Sequence, residues 1–334
     1  MTIKRGVSLY SYQHETFLGK MTLEDCIRTS VGFGARGIEV IGEQSFHGWP
    51  EAGVADADIA EWHRLIAHYD AVPVAHDFML DYKRYKGREM PFDEQVASVR
   101  KDIDFGARLG VQYLRALVSI APEVLVAAAP YAEEKGVKLL IEVHAPLHFD
   151  HPWILRHAEA FEKSGSDALG FLPDMGMFLF KFPPVWKERF IRNGVPPHIA
   201  DYIVKAYDDR VLSEYVILNV REMGGVGPAI AMAETLRHNA AFEPKRMLDH
   251  MPRIHNIHGK FYQMDADLVE PSIPYAAIVG VLKQGGYDGY ICSEYEGNRW
   301  IEDAHEVDSV EQVRRHQEML KTLIDGPATN APAA

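Results

Sequence analysis

Residues Lys138–Pro146 read KLLIEVHAP, and the fold follows from how this stretch is read. Lys138-Leu139-Leu140-Ile141 is a short apolar run that follows the helix stop Gly136-Val137, which is the pattern of a strand buried on both faces in a parallel sheet. Glu142 and His144 fall where that strand should end. Alternate residues of a strand share a face, so both side chains are expected on one side, and Pro146 prevents the ladder from continuing. A carboxylate and an imidazole at the exit of a buried strand require a chemical reason.

The chain has 334 residues, 47% of them hydrophobic and 25% charged, enough to bury a large core without covalent staples. No apolar run approaches the roughly 18 residues of a membrane span, and the opening MTIKRGVSLYSY lacks the apolar centre of a signal peptide, so a soluble cytoplasmic protein is expected. Cys26 and Cys292 are the only cysteines; they suit reduced core positions and exclude a cysteine-built zinc site. A formal charge of −13 without clustered Lys or Arg argues against nucleic acid as a partner and in favour of small, neutral ligands.

Working outward, one pattern recurs: a helix ends on glycine and a short β-branched strand begins within a few residues. It appears as FGARGIEVI at 33–41, LGVQYLRAL at 109–117, KGVKLLIEV at 135–143 and GGYDGYICSEY at 285–295. Further strands are expected at Val7–Gln13, Val72–Asp77, Leu169–Asp174 and Ile254–Phe261. Helical patterns run from Thr22, with Asp25 as a capping box, to Phe33, and over Asp58–Tyr69, Asp93–Leu109, Pro122–Lys135, Trp153–Lys163, Ile273–Lys283 and Ser309–Leu323. Eight strands alternating with helices predict an α/β fold, a (β/α)8 TIM barrel, ahead of an open doubly wound sheet, since no GxGxxG loop follows the first strand. One barrel domain is expected over 1–325. Within it Met175–Met251 is too long for a simple connection between strands six and seven, and predicts an inserted helical subdomain with helices at Pro184–Arg192, Pro197–Val211 and Gly227–Asn239. The loop DYKRYKGREMPFDE at 81–94 has the length of a lid, or of a plain solvated loop. The tail 326–334 (GPATNAPAA) is expected to be disordered.

The C-terminal ends of barrel strands carry the chemistry. Strand five ends in Glu142, strand six in Asp174, strand seven in His258 and strand eight in Glu294. Three carboxylates converging on one mouth would repel one another, and a divalent metal is the natural compensation. Three oxygen donors and one nitrogen favour Mn²⁺, with Mg²⁺ or Co²⁺ as substitutes, over structural Zn²⁺. The plainer reading makes each carboxylate half of a structural ion pair.

The order Glu, Asp, His, Glu at strands five to eight resembles the xylose isomerase-like TIM-barrel superfamily of sugar isomerases and epimerases. Within it, SLYSYQ at 8–13, GEQSFHGWP at 42–50, the long insertion after Asp174 and SEYEGNRW at 293–300 resemble the α subunit of bacterial C-glycoside deglycosidases. The resemblance implies Glu142, Asp174, His258 and Glu294 as metal ligands, a small β-sandwich β subunit as partner in a hetero-oligomer, and aryl C-glycosides, flavonoid glycosides among them, as substrates. Epimerases of the superfamily usually follow the strand-seven His with an acidic motif. Here Gly259-Lys260-Phe261 follows it.

Around the four ligands, His144 is a candidate base or a supporting histidine, and Lys260 either holds a substrate oxygen or closes a salt bridge. Glu142 is a second candidate for a catalytic role. Glu43, His47 and Trp49 follow strand two, where an aromatic beside polar groups suits a sugar or polyphenol ring, though loop packing alone would explain Trp49. His76 and Asp77 end strand three and are expected to reach the pocket, His76 as a substrate-binding residue, or to support it from behind; Glu296 and Arg299 follow Glu294 and are expected at the substrate or its rim. The expected function is metal-assisted deglycosylation of a 3-oxo-C-glycoside, by C2 proton abstraction and β-elimination. A ketose 3-epimerase or aldose-ketose isomerase is the nearest alternative, and a non-catalytic interaction subunit the alternative of another class.

Overall fold

The computed structural model describes residues 2–238 and 242–327. Its eight strands are β1 (Lys4–Ser8), β2 (Gly37–Ile41), β3 (Val72–Phe78), β4 (Tyr113–Ala116), β5 (Lys138–Val143), β6 (Leu169–Pro173), β7 (Asn256–Phe261) and β8 (Tyr290–Tyr295). They pair in parallel in the order β6-β5-β4-β3-β2-β1-β8-β7. Isolated parallel bridges between Phe171 and Ile254 and between Asp174 and His258 join the two outer strands, so the sheet curls into a nearly closed barrel. The seam at β6 and β7 is where the chain makes its longest excursion. The TIM barrel predicted from the strand-helix alternation is the fold.

Local chemistry explains most boundaries. Thr22 caps the helix Leu23–Gly32: its hydroxyl accepts from the Asp25 amide at 3.2 Å while the Asp25 carboxylate accepts from the Thr22 amide at 3.0 Å. Left-handed Gly110 and Gly136, at φ 73° and 72°, end the helices Phe92–Leu109 and Pro122–Lys135 and feed β4 and β5. The first strand is shorter than expected. The sequence pattern predicts one strand over Val7–Gln13, but β1 stops at Ser8 and Leu9–Tyr12 forms a 3₁₀ turn. The Ser11 hydroxyl explains this, because it donates to the Ser293 carbonyl at 3.0 Å and accepts from the Tyr295 amide at 2.9 Å, tying the turn across the end of β8.

Between β6 and β7 lie helices Pro184–Arg192, Pro197–Asp208, Ser213–Glu222 and Gly227–His238, then a 3₁₀ run at Pro244–Arg253. The helix Ser213–Glu222 was not anticipated, because its apolar segment YVILNV contains the β-branched residues of a strand; tertiary packing of Val216, Ile217 and Val220 decides for helix. Asn239, expected to close the fourth helix, lies outside the described residues, as does most of the tail 326–334 read as disordered. This segment packs on the loops that follow β7 and β8. Trp186 stacks on Trp300 at 4.7 Å and meets Tyr262 edge-on at 4.9 Å, and Asp303 takes ion pairs from Arg189 and Arg192.

The main core fills the space between barrel and helices, with Trp62, Phe105, Phe161 and Phe171 fully or almost fully buried. Inside the barrel, Gly37 gives room to the Tyr290 ring. Both cysteines are buried and free, and no helix among the described residues is long and apolar enough to cross a membrane. A methyl group at Gly37 would lie 2.5 Å from Tyr290 Cδ1 and 2.9 Å from Val74 Cγ2. Gly37→Ala is therefore expected to cost about 1–3 kcal/mol of stability through overpacking, read as a lowered urea midpoint. An unchanged midpoint would show that the barrel interior has slack there.

Candidate metal centre and active site

Strand alternation sends Glu39, Asp77, Glu142, His258 and Glu294 into the barrel mouth, and all five are buried. Asp174, just past β6, is held by its bridge to His258 and by a hydrogen bond from the Gly176 amide to Oδ1 at 2.6 Å. One ligand atom each from Glu142, Asp174, His258 and Glu294 lies within 4.8 Å of every other. His258 Nδ1 is 3.0 Å from Glu142 Oε1 and 3.4 Å from Glu294 Oε2. Its Nε2 faces Glu39 Oε1 at 2.8 Å, off the N–H axis, so proximity there does not make a hydrogen bond. Glu39 is fixed from its other oxygen by Asn256 Nδ2 at 2.7 Å.

Two cations stand among these acids. Lys260 and Glu294 are cross-strand neighbours, and the ammonium lies 2.5 Å from Asp174 Oδ2, 3.5 Å from Glu294 Oε2 and 3.6 Å from Glu296 Oε1. Arg115 is the cross-strand neighbour of Asp77 and lies 3.3 Å from its Oδ2 and 3.7 Å from Glu142 Oε2. Burial alone would raise the Glu294 carboxyl, but His258 and Lys260 bring it down to about 2. Burial likewise resists the Glu142 anion, yet Arg115 and the hydrogen bond from His258 hold it well below the usual carboxylate range. Burial wins at Asp77, which is pushed well up, and at Asp174, where Glu294 and Glu142 add to it against Lys260. The short Lys260 contact nonetheless marks an ionised pair, since Lys260, despite burial, is held well above its ordinary value by Asp174 and Glu294. His258, which burial would depress, is pushed well up by Glu294 and Glu39.

The donor set fits a divalent cation. Among the described residues, five buried carboxyls, of Glu39, Asp77, Glu142, Asp174 and Glu294, face two permanent cations, Arg115 and Lys260. Asp174 Oδ2 and Glu294 Oε2 are buried without a hydrogen-bond partner, although Lys260 lies near both. Uncompensated buried charge is among the costliest features a fold can carry, and three oxygens with one imidazole nitrogen form a ligand set suited to Mn²⁺, Mg²⁺ or Co²⁺.

Beside the cluster is a cavity of about 300 Å³, lined by Tyr10, Arg115, Glu142, His144, Asp174, Lys260, Tyr262, Glu294 and Glu296 among others. His144 lies one residue beyond β5, with its side chain 30% exposed and Nε2 3.9 Å from Glu142 Oε2. Its Nδ1 is 2.6 Å from the Ala145 carbonyl. A carbonyl only accepts, so Nδ1 carries a proton, and in the neutral ring Nε2 is the acceptor nitrogen.

The remaining named residues are dispersed. Glu296 lines the cavity, whereas Arg299 is half-exposed at the rim, 3.8 Å from Glu296, with its guanidinium 5.3 Å from the Tyr10 ring centre. Glu43 and His47 are exposed on the turn after β2, and neither lines this cavity. Trp49 stacks on Phe105 at 4.0 Å and meets His76 edge-on at 5.8 Å, which is a packing role. His76 points to the helical layer, with Nε2 3.4 Å from Asp102 Oδ1, because its strand neighbour Asp77 takes the inward position. Arg115, Glu39 and Tyr10 were not singled out from sequence. Two signals were there: Ile38-Glu39-Val40 repeats Ile141-Glu142-Val143, and Arg115 ends its strand in LGVQYLRAL as Glu142 does. Tyr10 lies in the SLYSYQ stretch, but its place at the cavity depends on the turn that ends β1.

Comparison with known proteins agrees with this architecture. A family model for the xylose isomerase-like TIM barrel matches residues 27–323. A C-glycoside deglycosidase alpha subunit of Arthrobacter globiformis is 31% identical over 89% of this chain and 84% of its own length. A 3'-dehydrocarminate deglycosidase alpha subunit of a Microbacterium species is 29% identical over 88% of each chain. Among solved structures, an L-ribulose 3-epimerase superposes with a TM-score of 0.56 at 12% identity over 97% of this chain and 95% of its own, a likeness of fold. The chain belongs to the xylose isomerase-like TIM-barrel family.

Proposed function

We propose that this chain is the catalytic subunit of a C-glycoside deglycosidase that cleaves the C–C glycosidic bond of 3-oxo-C-glycosides. The observation that carries this reading is the His144 ring, held through Nδ1 by the Ala145 carbonyl at the wall of a polar cavity, beside the Glu142, Asp174, His258 and Glu294 cluster. The names of the relatives, deglycosidase alpha subunits, supply the substrate class. A carbon–carbon lyase makes sense of a base and an electrophilic site placed together, since hydrolysis has no good leaving group on carbon.

A divalent cation, most simply Mn²⁺, held by the four ligands would supply Lewis-acid polarisation of the substrate's 3-oxo group. His144 Nε2 removes the proton from C2, and the electron pair moves onto the C3 oxygen. Lys260, already among Asp174, Glu294 and Glu296, adds positive charge to that end of the cavity. When the electrons return, a double bond forms between C1 and C2, and the C1–aryl pair leaves on the aryl carbon, which takes up a proton. No water is consumed; the products are the free arene and an unsaturated 3-oxo sugar. The half-exposed Arg299 and Tyr10 at the rim suit the arene, with polyphenols such as flavonoids as the expected aglycones.

The word "alpha subunit" in the relatives' names supports a second subunit for this chain as well, proposed as a small β-sandwich protein in a hetero-oligomer. The segment Met175–Met251 is proposed as an added helical subdomain that narrows the mouth and supports that contact; Tyr215 and Leu218 on its third helix are exposed.

Metal-supplemented protein, alone and co-expressed with such a partner, should release free aglycone from a 3-oxo-C-glycoside, faster as the pair. Epimerisation of a free ketose with no aglycone released would replace this reading by the epimerase, and equal rates with and without partner would remove the requirement for one. A separate expectation concerns the base. His144→Gln should retain metal and substrate affinity but lose roughly 10²-fold or more in kcat, the usual scale for a general base. A variant with near-normal kcat would move that role to Glu142 or Lys260.

A further inference from the structure

Arg115 neutralises part of the charge of Asp77 and Glu142, yet its surroundings are unusual for a guanidinium. It comes from β4, separated from the Lys260 strand by β5 and β6 around the barrel, and lines the same cavity with its side chain 13% exposed. Its Nε is buried with no hydrogen-bond partner, and the carboxylates it faces, Asp77 at 3.3 Å and Glu142 at 3.7 Å, hold it at ion-pair range only. A buried donor without an acceptor is costly unless something else fills the place. An arginine retained only to neutralise Asp77 and Glu142 would be expected to close on them in short, forked bonds. Instead it is held at arm's length on the cavity wall.

We propose that Arg115 is a substrate-binding residue whose planar fork receives two adjacent oxygens of an α-hydroxy ketone, the C2 hydroxyl and C3 carbonyl of an oxidised sugar. This rests on the reading above that the site takes 3-oxo sugars. A fork of parallel N–H donors matches two neighbouring oxygens, whereas lysine presents a point charge. Charge decides between a neutral pair of oxygens and a substrate carboxylate. Glu39, Asp77, Glu142, Asp174 and Glu294 already exceed Arg115 and Lys260, so even with a divalent cation a further buried anion meets a field with no positive surplus. A neutral hydroxy ketone enters freely, and its C3 oxygen gains negative charge only as the C2 proton leaves, when a fixed guanidinium is most useful. Lys260 adds its charge to the same cavity from the side of Asp174, Glu294 and Glu296.

The test uses binding, so that it does not depend on cleavage. Metal-loaded wild type, Arg115→Lys and Arg115→Ala are titrated calorimetrically with 3-oxo-glucose and with its 2-deoxy analogue, and metal content is measured on each sample. Wild type should prefer the 2-hydroxy sugar by about tenfold or more, a good hydrogen bond to a charged donor. Arg115→Ala should bind both sugars weakly and alike, with metal content unchanged; Arg115→Lys should keep part of the affinity but little of the preference, and added guanidinium ion should restore binding in the alanine variant. Unchanged affinity and preference in Arg115→Ala, or failure of wild type to bind 3-oxo-glucose, would overturn the assignment. Loss of metal in Arg115→Ala together with full metal and unchanged preference in Arg115→Lys would do the same, making Arg115 a support for Glu142. Absence of aglycone release from a C-glycoside, with sugar binding intact, would count against the deglycosidase reading alone.

Discussion

Five carboxyl groups shut away from water at one end of a barrel are the constraint on which the rest of this structure depends. Their positions are set by strand alternation, which leaves Glu39, Asp77, Glu142 and Glu294 no outward alternative, and by the turn after β6 that holds Asp174. Lys260 and Arg115 offset two of the charges, and they do so as direct cross-strand neighbours of Glu294 and Asp77. His258 sits at the centre, between Glu39 on one side and Glu142 and Glu294 on the other. The strain of holding these charges together shows in Asp77, pushed well up by burial, and in His258, pushed well up by Glu294 and Glu39 against burial. A bound divalent cation meets the same need while leaving the carboxylates free to coordinate.

The architecture around the mouth serves this arrangement. The barrel seam between β6 and β7, joined by isolated bridges, lies between the strands that carry Asp174 and His258. The long helical segment leaves and re-enters at that seam and packs Trp186 onto Trp300 and Tyr262, behind the loops that carry Glu296 and Lys260's neighbours. On the opposite side of the chain's order, Gln317 in the last helix donates to the Gly6 carbonyl and to Ser293, each at 2.7 Å, and fixes β1 to β8 just behind Glu294.

The fold was legible because strands and helices alternate along the chain, with a glycine between helix and β-branched strand at four of the junctions, a local signal that survives any tertiary detail. The four-residue cluster was legible for the same reason: strand ends identify the mouth, and polar residues at strand ends stand out. What stayed hidden depends on geometry that sequence spacing does not carry. The inward and outward choice between His76 and Asp77 turns on register, and one residue of slip exchanges them. Trp49 looked like a platform for a sugar, but its partner Phe105 comes from a distant helix. Tyr10 reached the cavity only because Ser11 ended the first strand early. Arg115 carries an ambiguous signal, because a lone arginine at a strand end resembles an ordinary ion pair.

The central claim is that the buried negative charge is completed by one divalent cation. The most direct measurement is a calorimetric titration of chelator-stripped, dialysed protein with Mn²⁺, beside the Asp174→Ala, Glu294→Ala double variant. About one ion per chain, as expected of a mononuclear site, with binding abolished in the double variant, is the predicted result. No binding to the wild type, or undiminished binding in the double variant, would contradict it and return the cluster to a network of protonated acids and ion pairs.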